Sequence, residues 1–185
     1  MLPGLLNFIM YCADTYLTDY KLYGGKFLKY SVSKMAMLYL KRLEKIMLSA
    51  LSTPPFKPPA SYEETKALAK GVIGYGNNMG EGWLLTAEML ELAKNGYNNI
   101  ICAQPFGCLP NHIVGKGMVN KIRALYPSAN ITPIDYDPSA TKVNQENRIK
   151  LMLAVAKERL NAPVEAKPLT AEEIAGGAPK VGAVV

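Results

Sequence analysis

Residues 99–136 read NIICAQPFGCLPNHIVGKGMVNKIRALYPSANITPIDY, and this stretch decides the fold class. Two apolar runs, 99–103 and 131–136, have the length of buried β-strands. A helical pattern at 114–125 lies between them and ends before Pro127, because the residue that precedes a proline disfavours helical backbone. A strand, a helix and a second strand in this order predict two parallel strands that are joined by a crossover helix.

The segments on both sides of this stretch also have patterns of secondary structure. Apolar residues at helical spacing predict helices at 84–94 and 141–160, and the sequence Ser61-Tyr62-Glu63-Glu64 is a capping box that begins another helix. A short apolar run at 72–75 suggests one more strand. We therefore expect 61–160 to form an α/β domain, a Rossmann-like parallel sheet flanked by helices.

The remaining parts of the chain differ from this domain. Residues 1–52 read as an N-terminal helical segment, with a break at the pair Gly24-Gly25. Four prolines make 53–60 an extended connector, since proline cannot continue a helix. The tail, 161–185, is rich in Pro, Ala and Gly and is expected to be disordered.

Charge is concentrated at the N-terminal end. The chain has a net charge of +6, and residues 1–60 hold eight basic side chains against three acidic ones. This excess is either a solvated helix face or a surface for an acidic partner or a polyanion. We predict that these basic helices contact another domain or chain.

The sequence contains no feature of secretion. The opening decapeptide MLPGLLNFIM lacks a basic start and is shorter than a membrane span. Three cysteines, an odd number, do not make a disulfide framework. The sequence therefore predicts a cytoplasmic protein with no membrane partner and no nucleic acid, whose cysteines are thiols or metal ligands.

The functional edge of the predicted sheet lies at the carboxyl ends of the strands, where loops 104–112 and 135–139 meet. Cys108 follows Gly107 on the first loop, just before a helix N-terminus, which favours the thiolate form that binds iron. Cys102 lies inside the apolar run and is either a small buried hydrophobe or a second ligand. Nothing in the pattern indicates a role for Cys12.

Other polar residues accompany these cysteines. His112, the only histidine, is either a loop residue or a donor to a sulfide, a thiolate or a carbonyl. Asn111 is expected to cap the following helix. Asp135 and Asp137 are read as turn residues or as an acid–base pair. The glycine-rich segment 74–82 matches no phosphate-loop pattern, so it is interpreted as a tight turn, with binding of a CoA phosphate as the alternative.

Two longer strings carry a family resemblance. GEGWLLTAEMLELAKNGYNNIICAQPFGCLPNHIVGKGM at 80–118 and ANITPIDYDPSATKVNQENRIKLML at 129–153 resemble the C-terminal region of the 2-hydroxyacyl-CoA dehydratase activator-related proteins, also called acyl-CoA dehydratase activase-related. Complete members of that family join ATP-binding activator modules to dehydratase-like domains. They couple ATP hydrolysis to electron transfer through 4Fe–4S clusters held by cysteines.

The resemblance implies a role for this chain in such a system. Cys108 and Cys102 would be metal ligands, and His112, Asn111 and Gly107 would lie around an iron–sulfur cluster that is shared with other domains. Activator and dehydratase-like modules would be the partners, because this chain contains no nucleotide-binding motif and three cysteines do not complete a four-thiolate cluster. The alternative is a metal-free Rossmann-like module that binds a CoA ester or docks a partner chain. We therefore expect no activity from the chain alone.

Overall fold

The computed structural model of the chain describes residues 3–55, 58–137 and 142–161, together with 168 and 170. Most of the described residues are helical. The α-helices, numbered in chain order, are α1 Leu5–Tyr23, α2 Phe27–Leu51, α3 Tyr62–Ala69, α4 Trp83–Lys94, α5 Val119–Leu125 and α6 Lys142–Asn161. A π-helical turn, Asn111–Gly115, and a 3₁₀ turn, Lys116–Met118, precede α5.

The sheet is a parallel pair. Strands β1, Asn99–Pro105, and β2, Asn130–Tyr136, run side by side in register from Asn99 opposite Asn130 to Pro105 opposite Tyr136. This confirms the predicted parallel pairing. The described part of the chain forms no further strand, so the structure establishes a mostly helical protein with a small parallel sheet, and the larger Rossmann-like sheet stays a prediction.

The strand predicted at 72–75 is wrong. Gly71 has a φ of 79°, a left-handed conformation that often follows a helix end, and the N–H groups of Val72 and Ile73 both donate to the carbonyl oxygen of Ala69 at 3.0 Å. The backbone therefore turns back on α3 instead of extending. Val72 is apolar because its side chain belongs to the core beside α4.

The N-terminal helices form a hairpin that shares a core with α3 and α4. The break at Gly24 is confirmed, and its backbone N–H bonds to the carbonyl oxygen of Tyr20. Trp83 of α4 is 1 % exposed and lies edge-on to Tyr11 of α1, with ring centroids 5.3 Å apart. The capping box at Ser61 is also confirmed, since its hydroxyl accepts from the N–H of Glu64. The hairpin thus packs at the side of the α/β part.

A second core lies between the sheet, α4 and α5. Ile100 and Cys102 of β1 and Ile131 of β2 are buried there with residues of both helices. Helix α6 lies along β2, where the Arg148 guanidinium donates to the carbonyl oxygen of Pro133 at 3.1 Å. Among the described helices none is long and apolar enough to cross a membrane. The turn expected at 137–139 lies largely outside the described residues, as does most of the tail.

Candidate functional site

The carboxyl edge of the sheet is closed by a contact between its two strands. Gln104 and Asp135 face each other in the register, and the amide nitrogen of Gln104 donates to the Asp135 carboxylate. Just beyond the sheet, the N–H of Phe106 donates to the carbonyl oxygen of Tyr136 at 3.0 Å. The two loops are therefore adjacent, as predicted, up to residue 137, where the described part of the second loop ends. Gln104 was not identified from the sequence, because an amide at a strand end gives no pattern.

Cys108 stands at the start of a helical run. Gly107 has a φ of 70°, and apart from its chain neighbours no described residue comes within 4 Å of the position that a Cβ would occupy. The Cys108 N–H donates to the carbonyl oxygen of Pro105 at 3.2 Å, and its own carbonyl oxygen accepts from the N–H of His112 at 3.0 Å. Residue 108 therefore occupies the N-cap position, with its thiol half-buried.

The helical run that follows is irregular. Its first turn widens into the π-helical segment Asn111–Gly115 before it narrows again. Insertions of this kind are uncommon and occur often at functional sites. Asn111 does not cap α5 as predicted, since α5 begins only at Val119. The side-chain oxygen of Asn111 is buried and has no hydrogen-bond partner among the described residues.

His112 is oriented by the same loop. Its Nδ1 lies 3.0 Å from the carbonyl oxygen of Cys108. Because a carbonyl oxygen only accepts, Nδ1 donates in this contact, and in that tautomer Nε2 is left as an acceptor or a metal ligand.

Cys102 is far less accessible than Cys108. It is 3 % exposed among the apolar residues of the second core. Burial, and to a smaller extent the charge of Asp135, raise the pKa of its thiol to about 11. A Cβ at Gly115 would come within 3.1 Å of its sulfur, so the π-helical turn covers it closely. These observations favour a buried thiol over an accessible ligand.

Apolar side chains surround the Cys108 loop on the surface. Phe106 is 71 % exposed and Leu109 is 68 % exposed. A groove of about 180 Å³ is lined by Leu109, Met79 and Ile113 together with their neighbours. We refer to Phe106, Leu109, Ile113 and Met79 as the apolar rim. Exposed apolar groups concentrated around one loop are typical of a surface that another surface covers. Met79 was missed in the sequence because it belongs to the glycine-rich turn.

The glycine-rich turn is a tight turn into α4, as predicted. Gly82 has a φ of 48°, and the N–H of Trp83 donates to the carbonyl oxygen of Asn77 at 2.7 Å. The N–H groups of Leu84 and Leu85 also bond within the turn. These three donors are therefore not available to a phosphate.

A cavity of about 430 Å³ lies beside the sheet, between β1 and α4. Most of its lining is apolar, with Ile101 of the strand and Leu92 of the helix among the residues that form it. Glu88 is the one acidic side chain among the described residues that line it. Burial, and next the charge of Glu91, raise the pKa of Glu88 to about 7. Glu88 could not be identified from the sequence, because a buried glutamate in a helix has the same pattern as a solvated one.

The residues at the carboxyl edge fit one ligand position of an iron–sulfur cluster, but not a complete set. Cys108 offers one accessible thiol, and His112 offers one nitrogen. Among the described residues, no three His, Cys, Asp or Glu side chains come together as a metal site. A four-thiolate cluster therefore does not fit this chain alone.

Fold and site together define a mostly helical α/β protein with a half-buried cysteine at the carboxyl edge of a parallel sheet. Comparisons with protein-family models, with curated proteins and with solved structures gave no match. The family resemblance therefore depends on the residues quoted above, and it enters below as a proposal.

Proposed function

We propose that this chain is a component of an ATP-coupled iron–sulfur redox system related to the 2-hydroxyacyl-CoA dehydratases and their activators. In this proposal Cys108 supplies one thiolate to a 4Fe–4S cluster that is shared with another domain or chain. The observation that supports it best is the position of Cys108 at the start of a π-interrupted helical run, inside the apolar rim.

Each residue of the loop has a separate task in this proposal. Cys108 binds iron through its sulfur, and its place at the start of the helical run puts that sulfur at the carboxyl edge of the sheet. His112, oriented through Nδ1, presents Nε2 to the same space. Phe106 and Leu109 are covered by the partner and exclude water. When bound, the cluster supplies one-electron transfer.

The proposal extends to the fold and the surroundings. Strand β1, the helical run and β2 form one β-α-β unit, and further strands of a Rossmann-like sheet would come from the neighbouring domain. Activator and dehydratase-like modules are the partners we propose, and the cytoplasm is the compartment. Reduced thiols at Cys102 and Cys108 suit a reducing compartment.

The test is iron and sulfide analysis of the assembly. The chain is produced anaerobically together with the activator-like and dehydratase-like chains of the same genome. We expect Cys108→Ser to lower iron per assembly, while Cys102→Ser and the matched surface control Cys12→Ser retain it. Equal iron in Cys108→Ser and the parent overturns the assignment, as does loss in Cys102→Ser alone.

A metal-free module that docks a partner chain is the second candidate, and the apolar rim is the observation that favours it. The same assembly distinguishes the two candidate functions. If Leu109→Glu prevents association while Cys108→Ser changes neither association nor iron, the rim docks a partner without a cluster. A CoA ester as ligand gains no support from the glycine-rich turn, whose three bonded N–H groups do not face a phosphate.

A further inference from the structure

Helix α2 leaves most of its surface without a contact in the described chain. Of its 25 residues only Ser33, Met37 and Glu44 are buried. These three lie on one side, towards α1 and α3, where the Glu44 carboxylate accepts the N–H of Tyr62 at 2.5 Å. The opposite side, about 37 Å long at 1.5 Å per residue, faces away from both cores.

The exposed side has a regular pattern. Apolar residues recur there at alternating intervals of four and three, which is the a and d spacing of a coiled-coil heptad. Arg42 occupies one of the positions. We call this set the α2 seam, and its members with their exposed fractions are Leu28 (74 %), Val32 (59 %), Met35 (72 %), Tyr39 (63 %), Arg42 and Ile46 (59 %).

One end of the seam opens into a groove. Leu28 and Val32 of the seam line it together with Tyr16 of α1, and its volume is about 340 Å³. The Lys29 ammonium lies at the rim, 5.8 Å from the centre of the Tyr16 ring. A groove between two helices beside a heptad seam is suited to receive a large apolar side chain of a facing helix.

The charge around the seam has one sign. Lys29, Lys34, Arg42 and Lys45 are exposed on α2, and Lys41 pairs with Glu63 at 2.6 Å. The only acidic residue of α2 is Glu44, which is buried. Helix α6, which is also mostly exposed, instead has both signs, with Lys142 and Lys150 each paired to Glu146. The α2 seam is therefore apolar with an uncompensated positive border.

The apolar seam and its positive border together indicate which kind of binding partner fits this surface. A second copy of the chain would bring two positive borders together, which opposes pairing. A membrane surface suits a helix with a wide apolar face and cations on the polar face. Here the exposed apolar residues extend beyond the heptad positions to Phe27, Leu38 and Met47, but the guanidinium of Arg42 lies within the apolar stripe, where a lipid surface would not accommodate it. An acidic helix with apolar residues at heptad spacing matches both the stripe and its border.

We propose that the α2 seam binds an acidic amphipathic helix of another protein in a coiled-coil manner. The Leu28–Val32 groove receives one of its apolar side chains, and carboxylates at its flanking positions pair with Lys29, Arg42 and Lys45. This surface does not depend on Cys108, so the inference stands or fails separately from the proposed function.

The test uses the full chain and a designed probe. The probe is a helical peptide with leucine at a and d and glutamate at e and g, and its matched control has lysine at e and g. We expect the acidic peptide to bind at least about tenfold more tightly than the basic one, and added salt to weaken it. Met35→Glu should abolish binding, while Leu151→Glu on α6, where the leucine is 68 % exposed against 72 % for Met35, should not. Circular dichroism verifies that both variants are folded.

Four results overturn the inference. They are equal binding of both peptides, no binding of either, association of the chain with itself that Met35→Glu abolishes, and binding to vesicles of phosphatidylcholine and phosphatidylglycerol without binding to the acidic peptide. The last two assign the seam to a second copy and to a lipid surface, respectively.

Discussion

Gly82 shows how one residue without a side chain sets the entry into α4. Its φ of 48° is a conformation that other residues rarely adopt. A Cβ there would meet the Tyr11 hydroxyl, the Asn77 carbonyl oxygen and the Asn78 backbone. The glycine therefore allows the turn to pack closely against α1. This requirement for close packing cannot be read from the sequence.

Replacing Gly82 should be much more harmful than replacing another glycine of similar backbone. Gly82→Ala combines backbone strain with a collision against backbone atoms, so we expect a loss of more than about 2 kcal/mol in the free energy of unfolding. Gly96→Ala is the control, because Gly96 has a φ of 83° and open space around it. It should lose only about 1 kcal/mol. Urea unfolding measures both, and equal losses would contradict the role of close packing.

At the scale of elements, α4 has an acidic group in an unfavourable place. Glu88 faces the apolar cavity beside β1, and its pKa is raised to about 7. The folded state thus holds a proton that the unfolded state releases at a lower pH. The contribution of Glu88 to the free energy of unfolding is complete below about pH 4.5 and is lost as the pH rises through about 7.

Glu88→Gln should remove this pH dependence. The amide is uncharged at every pH, as the protonated carboxyl is at low pH. The free energy of unfolding of the variant should therefore exceed that of the parent by up to about 3 kcal/mol at pH 8 and be similar to it at pH 4.5. The measurement is the urea midpoint across that range. Glu158→Gln, at an exposed position of α6, should follow the parent throughout. A constant difference between Glu88→Gln and the parent would show that the carboxyl does not titrate in this way.

The elements differ in how far the sequence predicts them. Strands β1 and β2 were found because apolar runs of strand length stand out, and the helix ends at Gly24 and Pro127 because their backbone chemistry is local. The run at 72–75 misled because an apolar residue in a turn and one in a strand are equally buried. The π-helical turn could not be predicted, since it depends on Gly115 approaching Cys102 from another element.

The candidate site was predicted to a similar extent. The carboxyl edge, the Cys108 loop and the placement of His112 follow from the order of the elements. The depth of Cys102 does not, because strand alternation allows either face until the partner helices are known. The bond between Gln104 and Asp135 and the apolar rim both need two segments brought together in space. Resemblance supplies the chemistry proposed here, and the geometry supplies only its location.

At the scale of the whole molecule, a cluster of aromatic side chains joins the hairpin of α1 and α2 to the rest, together with polar contacts such as the Lys66–Asp14 ion pair at 2.5 Å. Tyr11 is 2 % exposed and reaches Trp83, which also meets Tyr62 and Tyr75. These rings link α1, α3 and α4 and the turn before α4. The N-terminal segment is therefore part of a common core at this end, while most of α2 extends beyond it.

Removing the central ring should loosen that link. Tyr11→Ala deletes a fully buried aromatic side chain, and we expect a loss of about 3–5 kcal/mol in the free energy of unfolding. Tyr39→Ala removes the same side chain from an exposed position of α2 and should change stability by less than about 0.5 kcal/mol. Thermal and urea unfolding compare them. If both substitutions lower the free energy of unfolding by the same amount, the shared core does not hold the hairpin.

The aromatic cluster has a practical consequence. Trp83 is the only tryptophan of the chain, and it lies at the meeting point of the N-terminal hairpin and the rest. Its emission is therefore a built-in optical sensor for that junction. Departure of the hairpin would expose the indole to water and shift its fluorescence to the red. Intrinsic fluorescence, set beside far-ultraviolet dichroism, reports whether the two parts of this protein separate together or in sequence.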